Sequence, residues 1–384
     1  MRVIKTIRDI QVLSRAYRLE GKTIGFVPTM GALHEGHLSL IRCSREECDV
    51  TFVSIFVNPT QFGPNEDLDR YPRDLEGDLK KIKPLGVDVV FAPDVKEMYP
   101  ASPSIGIDVG EIGNVLCGRS RPGHFNGVAM VVTKLFNIVM PDRAYFGRKD
   151  LQQAIIIKRL VRELNFDIDI IVRPIVREHD GLAMSSRNMY LNEEERGSAT
   201  ILYKALKLGE ELIDSKGIRD PSIVKGEMEM LIRSEPLARI DYVEIVNPID
   251  LMPVDEIERP VALCVAVSIG KTRLIDNMII GDTDLGGEVT VTLDKPCTRD
   301  DTGFKHAGAR SIGGFIEERL GGYMKKVKGL ERFDLYDMVI SEVEKALITM
   351  VLKETKGNRS KASKLLGINR NTLSSKMKRL GIKG

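Results

Sequence analysis

No run in the 384-residue chain approaches the roughly 18–20 consecutive apolar residues that cross a bilayer. The N-terminus, MRVIKTIRDI, lacks the apolar stretch and small-residue cleavage site of a secretory signal. Cysteine is sparse: Cys43, Cys48, Cys117, Cys264 and Cys297 are an odd number, scattered, with no CxxC. That excludes a disulfide framework and a zinc knuckle, and a cytoplasmic setting is the expectation. Net charge is also nearly absent, 57 Lys+Arg against 55 Asp+Glu. With 42% hydrophobic residues, wholesale disorder is excluded. There are no internal repeats. A length of 384 predicts two or three domains.

The near-zero net charge hides a segregation. Residues 353–384 carry ten Lys/Arg and one acid, Glu354, whereas the preceding 352 residues carry 47 basic and 54 acidic residues. A basic tail on an acidic body points to an appended nucleic-acid or anionic-surface module; a solvated basic helix is the plainer alternative. Ahead of the tail, residues 1–175 alternate β-rich runs, at 23–27 (TIGFV), 51–57 (TFVSIFV), 87–91 (VDVVF) and 168–172 (IDIIV), with helical patterns at 36–47, 73–85 and 151–164. Such alternation predicts a parallel sheet flanked by helices, with ligands beyond the carboxyl ends of its strands. Residues 176–281 read as a smaller α+β domain: helices at 193–214 and 222–234, strands at 242–246 and 261–269. Residues 282–310 read as a linker with a short strand at 289–293. Beyond it, Ile312, Phe315, Ile316, Leu320, Tyr323 and Val327 form one helical stripe. Leu335, Val339, Val343, Ala346, Leu347, Met350 and Val351 form a stronger one.

The chemistry begins where the first strand ends, at PTMGALHEGH (28–37). Small residues let a ligand approach the backbone, and a helix N-terminus offers free N–H groups to anions. His34 and His37, three apart, share a helical face and can donate to phosphate oxygens as charge builds up. A surface pair or a metal site is the alternative, but HExxH is absent, so a zincin reading fails. SIGKT at 268–272 ends like a P-loop, yet Val265 stands where a glycine is required, so Lys271 reads as a turn residue.

PTMGALHEGH resembles the ATP-binding signature of the pantothenate synthetase family, within the HIGH-type nucleotidylyltransferases. NPTQF (58–62), DLDRYPR (67–73), RPGHFNGV (121–128), FGRKDLQQ (146–153) and GLAMSSRN (181–188) follow in family order. Arg148 departs from the family's usual Glu. The resemblance implies a Rossmann-like α/β domain and a two-step reaction. Pantoate carboxylate attacks the α-phosphate of ATP, then β-alanine attacks the pantoyl adenylate. It also implies site residues. Met30, Gly31, Ala32, Leu33, His34, Glu35, Gly36, His37, Gly147, Arg148, Lys149, Asp150, Val176, Met184, Ser185, Ser186 and Arg187 would bind ATP. Gln61 and Gln153 would bind pantoate, with Asn58, Tyr71, Arg121 and His124 lining the substrate pocket. His37, His34, Lys149 and Arg187 would be catalytic, with His37 as general acid. Read alone, the two glutamines at 152–153 could be helix surface and 185–188 a plain turn. ATP would come with Mg²⁺, and no dedicated protein metal ligands are expected. A different adenylyltransferase of the superfamily is disfavoured by the NPTQF and MSSRN blocks.

In the tail, 357–366 reads as a short helix, 367–369 as a turn, and 370–380 as a basic helix with Leu373, Met377 and Leu380 buried. This is a helix-turn-helix pattern. With 335–355 it resembles the DNA-binding domain of the factor for inversion stimulation and of nitrogen-regulator activators. The resemblance implies DNA contacts at Asn358, Ser360, Lys361, Asn369, Arg370, Thr372, Lys376 and Lys378, and a homodimer. Ser374 and Ser375 stand where the inversion factor is basic. The expectation is an α/β synthetase with a smaller α+β domain (1–175 and 176–281), a linker, and an all-α helix-turn-helix domain at 311–384. It has small-molecule substrates, DNA as an expected partner, and no membrane association. The alternative is a DNA-binding regulator that uses the synthetase-like part as a metabolite sensor.

Overall fold

The computed structural model describes residues 1–281 except 65, 102 and 103, then 289–290, 344–345, 348–352, 355, 358–366, 369–380 and 382. Contacts divide the chain into two units, Met1–Pro296 and Cys297–Gly384.

The first unit opens with β1 (Arg2–Ile4) and α1 (Ile7–Leu19), whose N-cap Thr6 accepts from the Asp9 amide. There follow β2 (Ile24–Thr29), α2 (Glu35–Glu47), β3 (Val50–Ile55), α3 (Leu75–Ile82), β4 (Val89–Phe91) and two short helices, α4 (Val95–Met98) and α5 (Cys117–Ser120). Then come α6 (His124–Val139), β5 (Arg143–Gly147), α7 (Leu151–Glu163) and β6 (Asp169–Arg173). Six strands form one parallel sheet in the order β1-β4-β3-β2-β5-β6. Strands buried on both faces need continuous apolar runs, and VTFVSI and IGFVPT supply them. From β2 the chain winds one way to β3 and the other way to β5. The crevice for a ligand therefore opens where β2 and β5 end, at Thr29 and Gly147.

The rest of the unit contains β7 (Val176–Arg177), α8 (Glu193–Ser198), α9 (Ile201–Asp214), α10 (Pro221–Arg233) and the antiparallel strands β8 (Ala238–Val246), β9 (Val261–Ile269) and β10 (Thr272–Ile280). The helix expected at 193–214 is two helices. Ala199 and Thr200 turn the chain between them, with Thr200 N bonding Gly197 O. One face of this sheet packs on α9 and α10 through Val243, Leu263, Val265, Leu274 and Met278. The other face packs on Leu151, Ala154 and Ile155 of α7 through Tyr242, Ala262 and Cys264. Lys271 sits exposed in the β9–β10 turn, where the sequence had it as a turn residue. Val289–Thr290 forms β11, parallel to β7; the rest of the expected 289–293 strand and of the linker lies outside the described residues.

In the second unit, α11 (Arg359–Leu365) and α12 (Arg370–Arg379) pack with Ile348 and Leu352 around Ala362, Leu373 and Met377. Met350, expected on an apolar stripe, is 64% exposed instead. The buried positions 348 and 352 are four apart, which turns Met350 outward. The stripes at 312–327 and 335–343 lie outside the described residues, as do Ala346 and Leu347. Among the described residues no helix is long and apolar enough to cross a membrane.

Candidate active site

The β2–α2 turn is built by its own histidines. His34 is the N-cap of α2, in extended conformation, so the two imidazoles do not share a helical face as the spacing suggested. They meet through a capping box. His34 Nδ1 accepts from Gly36 N at 3.2 Å, and His37 Nδ1 accepts from His34 N at 3.4 Å. The ring centroids lie 4.2 Å apart. Glycine is needed at 36, since a Cβ there would stand 2.9 Å from His34 Cε1. Behind the turn, buried Asp78 of α3 accepts from Leu33 N at 2.8 Å, and Lys81 donates to Leu33 O at 2.7 Å.

These bonds fix the tautomers. A neutral imidazole that accepts at Nδ1 carries its proton on Nε2, so both rings present Nε2–H donors. Burial, joined by His37 and Lys149, lowers the His34 pKa to about 2. Burial also lowers His37 to about 4, with Asp150 opposing and Lys149 adding. Both rings are neutral at pH 7. Each ring therefore offers its Nε2–H as a hydrogen-bond donor.

Beside this turn, β3 leads into Asn58. Its side chain is 1% exposed and fully engaged: Nδ2 donates to Gln61 Oε1 and Gly127 O, both at 3.2 Å, and Oδ1 accepts from Tyr99 at 3.0 Å. Asn58 thus holds Gln61 in place. Gln61 Nε2 reaches Met30 Sδ at 2.9 Å. The approach of α6 allows no side chain at Gly127, where a Cβ would collide with the Thr60 carbonyl. His124 Nδ1 lies 2.7 Å from Gln61 O, and its Nε2 lies 3.0 Å from Arg121 Nη1. Burial and then Arg121 lower its pKa to about 4, so the neutral ring donates from Nδ1 and accepts the guanidinium proton at Nε2. The neighbouring glutamines divide. Gln152 is buried and bonded to Ile112 O, Val115 O and Cys117 N, whereas Gln153 lines the cleft.

The 181–188 loop supplies the other wall. Ser185 caps a short 3-10 turn by accepting from Arg187 N at 3.3 Å, and Met184 N bonds Val176 O. The cations arrive already partnered. Arg187 is bidentate on Asp67, at 3.0 and 3.2 Å, and Arg121 on Glu66, at 2.5 and 2.7 Å. Burial works to raise both carboxyls, and the guanidiniums outweigh it, so both lie below their usual range.

A cavity of about 230 Å³ gathers Met30, Gly36, His34, His37, Asn58, Gln61, Tyr71, Arg121, His124, Gly147, Lys149, Asp150, Gln153, Val176, Met184, Ser185, Ser186 and Arg187. It shares Arg121, Lys149, Gln153 and Arg187 with an outer cavity of about 690 Å³. Gly31, Ala32, Leu33 and Glu35 line neither, and they shape the turn from behind. Arg148, expected at ATP, lines neither as well: its side chain is 2% exposed. Sequence reasoning assigned no roles to Glu66, Asp67 and Asp78, nor to the outer cavity's Cys117, Tyr242 and Arg273. There Cys117 Sγ lies 3.2 Å from Tyr242 Oη, and Arg273 pairs with Asp241 at 2.6 Å.

In the second unit, Ser360, Lys361, Asn369, Thr372 and Lys378 are exposed on and beside α11 and α12. Two expected DNA contacts have other tasks. Asn358 caps α11, accepting from Ser360 N and Lys361 N at 3.1 Å. Lys376 pairs with Glu344 at 2.5 Å, which also takes Arg379. The side chain of Arg370 lies outside the described residues.

Known proteins share both parts. Residues 2–279 match the pantoate-beta-alanine ligase family, and residues 339–380 match the family of bacterial regulatory proteins of Fis type. The pantothenate synthetase of Fervidobacterium nodosum is 59% identical over 280 residues, 73% of this chain and 99% of that one; that of Acetivibrio thermocellus gives the same figures. The crystal structure of pantothenate synthetase from Thermus thermophilus superposes with a TM-score of 0.69 at 42% identity, covering 73% of this chain and all of that one. The Francisella tularensis pantoate-beta-alanine ligase, complexed with beta-gamma ATP and beta-alanine, gives 0.61 at 36%, covering 73% and 97%. By sequence and by architecture the chain belongs to the pantoate-beta-alanine ligase family and carries a Fis-type helix-turn-helix region after it.

Proposed function

We propose that the first unit condenses pantoate with β-alanine through a pantoyl adenylate. The observation that carries this reading is the pairing, in one small cavity, of two neutral Nε2–H donors with Lys149, Arg187 and two cleft-facing glutamines. A carboxylate oxygen of pantoate attacks the α-phosphorus of ATP. The bond to the α–β bridging oxygen breaks, and diphosphate leaves with the electron pair. Gln61 and Gln153, which both donate and accept, hold pantoate's hydroxyls and carboxylate. His34, His37 and Lys149 donate to the phosphate oxygens as charge builds there, and Arg187 and Ser185–Ser186 take the outer phosphates. The free amine of β-alanine then attacks the acyl carbon. The C–O bond to AMP breaks, AMP leaves, and the amine proton passes to solvent.

Arg187 and Arg121 must exchange Asp67 and Glu66 for substrate anions, so before substrate arrives the cleft is closed on its own carboxylates. Among the described residues no cluster of three His, Cys, Asp or Glu could hold a metal. Mg²⁺ would arrive on the triphosphate, where it would neutralise phosphate charge, with Asp150 the nearby carboxylate. AMP formation that requires both pantoate and β-alanine is the expected result; AMP released without pantoate would overturn the reading.

The second unit, we infer, binds DNA, with the chain acting as a cytoplasmic homodimer. Exposed Lys361, Thr372 and Lys378 around a compact two-helix core support this. The test compares the full chain with one ending at residue 281, near where the relatives end, across a salt series. Affinity that falls steeply with salt in the full chain alone is expected. Equal binding by both would sink it.

A further inference from the structure

Strand β10 reads LIDNMII at 274–280, with a carboxylate and an amide set in an otherwise apolar stretch. Both are buried, Asp276 and Asn277 at 3% exposure each. Successive strand residues point to opposite faces. Asp276 therefore shares a face with Leu274 and Met278, toward α9, and Asn277 shares one with Ile275 and Ile279, toward α7.

Each side chain meets a different substrate-facing loop. Asn277 Nδ2 donates to Arg148 O and to Lys149 O, both at 3.0 Å. Two carbonyl acceptors fix the orientation of the amide. Its Oδ1 is buried and accepts nothing among the described residues, so an apolar side chain would cost the sheet less. The amide is spent on the turn that carries Lys149 and Asp150. Asp276 forms a bidentate pair with Arg177, at 2.6 and 3.1 Å. Arg177 Nη1 also donates to Gly181 O at 3.1 Å, and its guanidinium lies 4.3 Å over the Tyr203 ring. That fixes the root of the loop that carries Ser185, Ser186 and Arg187.

We propose that Asp276 and Asn277 are positioning residues for adenylation: one dipeptide of β10 holds the Lys149 turn with one face and the Ser185–Arg187 loop with the other, setting the distance between them. This rests on the synthetase reading above. Neither residue needs to touch substrate. A displacement of about 1 Å in such a frame costs on the order of 10²-fold in rate.

The experiment uses the full chain and measures AMP formation with ATP, pantoate and β-alanine, together with Tm. Asn277→Ala is expected to lower kcat by about 10–10²-fold while leaving the KM for pantoate within about threefold. Ile279→Ala, on the same face, is the control: it lowers Tm but keeps kcat within about threefold. Asn277→Asp keeps the volume but turns an acceptor toward two carbonyls. It should lose more activity than Asn277→Ala, and its activity relative to wild type should recover as the pH falls and the carboxyl gains a proton to donate. Asp276→Asn should raise the KM for ATP more than that for pantoate. A kcat loss in Asn277→Ala no larger than that in Ile279→Ala at matched Tm would overturn the proposal, as would Asn277→Asp being the milder variant at every pH. If the wild-type chain made no AMP, the synthetase reading would fall first and this inference with it. An active wild type with an unimpaired Asn277→Ala sinks the inference alone.

Discussion

The two units use positive charge in opposite ways. In the first, Arg121, Arg177 and Arg187 are each bidentate on a carboxylate. In the second, Lys361, Lys364 and Lys378 stand exposed on short helices, and Glu344 is the carboxylate that pairs with Lys376 and Arg379. In the proposed reaction phosphate would need donors fixed to tenths of an ångström, and the two cleft arginines are held on carboxylates that substrate anions would have to displace. A polyanion asks only for charge on a suitable shape, so solvated lysines on a rigid helix suffice. The same residue types are thus constrained by geometry in one unit and by field in the other.

The sharpest way to break this contrast is to remove one placed donor. His37→Ala should lower kcat by about 10²–10³-fold and leave DNA affinity of the full chain unchanged; the readouts are AMP release and a binding titration. If DNA binding falls with it, the units are not independent. Lys378→Ala should do the reverse. Catalysis stays intact, while the slope of log affinity against log salt falls by about one for each lysine removed. A slope that does not move would mean Lys378 meets no phosphate. Asp67→Asn probes the partnering itself. Freed from its carboxylate, Arg187 should lower the KM for ATP a few-fold; a higher KM would show that Asp67 aims Arg187 rather than competing for it.

The smallest effect is in stability against pH. His34, His37 and His124 have folded pKa values of about 2, 4 and 4, below the ordinary 6.5 of an unfolded histidine. As pH falls below 6.5 the unfolded chain takes up protons that the folded chain refuses. Their contribution is therefore complete above about pH 6.5 and is lost on descent, toward about pH 4 for His37 and His124 and toward about pH 2 for His34. Residues 311–384 contain no histidine. In the second unit Lys376 holds Glu344 below the ordinary carboxylate range, so its contribution is present above about pH 4.5 and is lost as the pH falls further. A calorimetric scan should show the synthetase transition shifting by several degrees from pH 6.5 to 4 and the helical transition shifting less.

Local pattern carried much of this fold. The runs at 23–27, 51–57 and 261–269 became β2, β3 and β9, because an apolar run between turn residues fixes a buried strand with little help from elsewhere. β10 escaped notice because Asp276 and Asn277 interrupt its apolar run, and their side chains bond Arg177 and the 148–149 carbonyls. Residues of the candidate site were legible as short blocks, but their partners were not. Asp67 and Arg187 are 120 residues apart, and Arg177 and Asp276 are 99 apart. Nothing in either block names the other, since the fold alone brings them together. Arg148 shows the converse, since a basic residue inside a phosphate motif is turned into the protein interior.

The imidazole cap of α2 has a consequence for ligand chemistry. Each Nδ1 lone pair that holds the first turn is available only while its ring is neutral. A bound molecule acidic enough to protonate either ring would gain an ion pair and undo the helix start that aims both donors. Compounds made for this pocket should therefore present acceptors that take the two N–H bonds, and should keep their own protons.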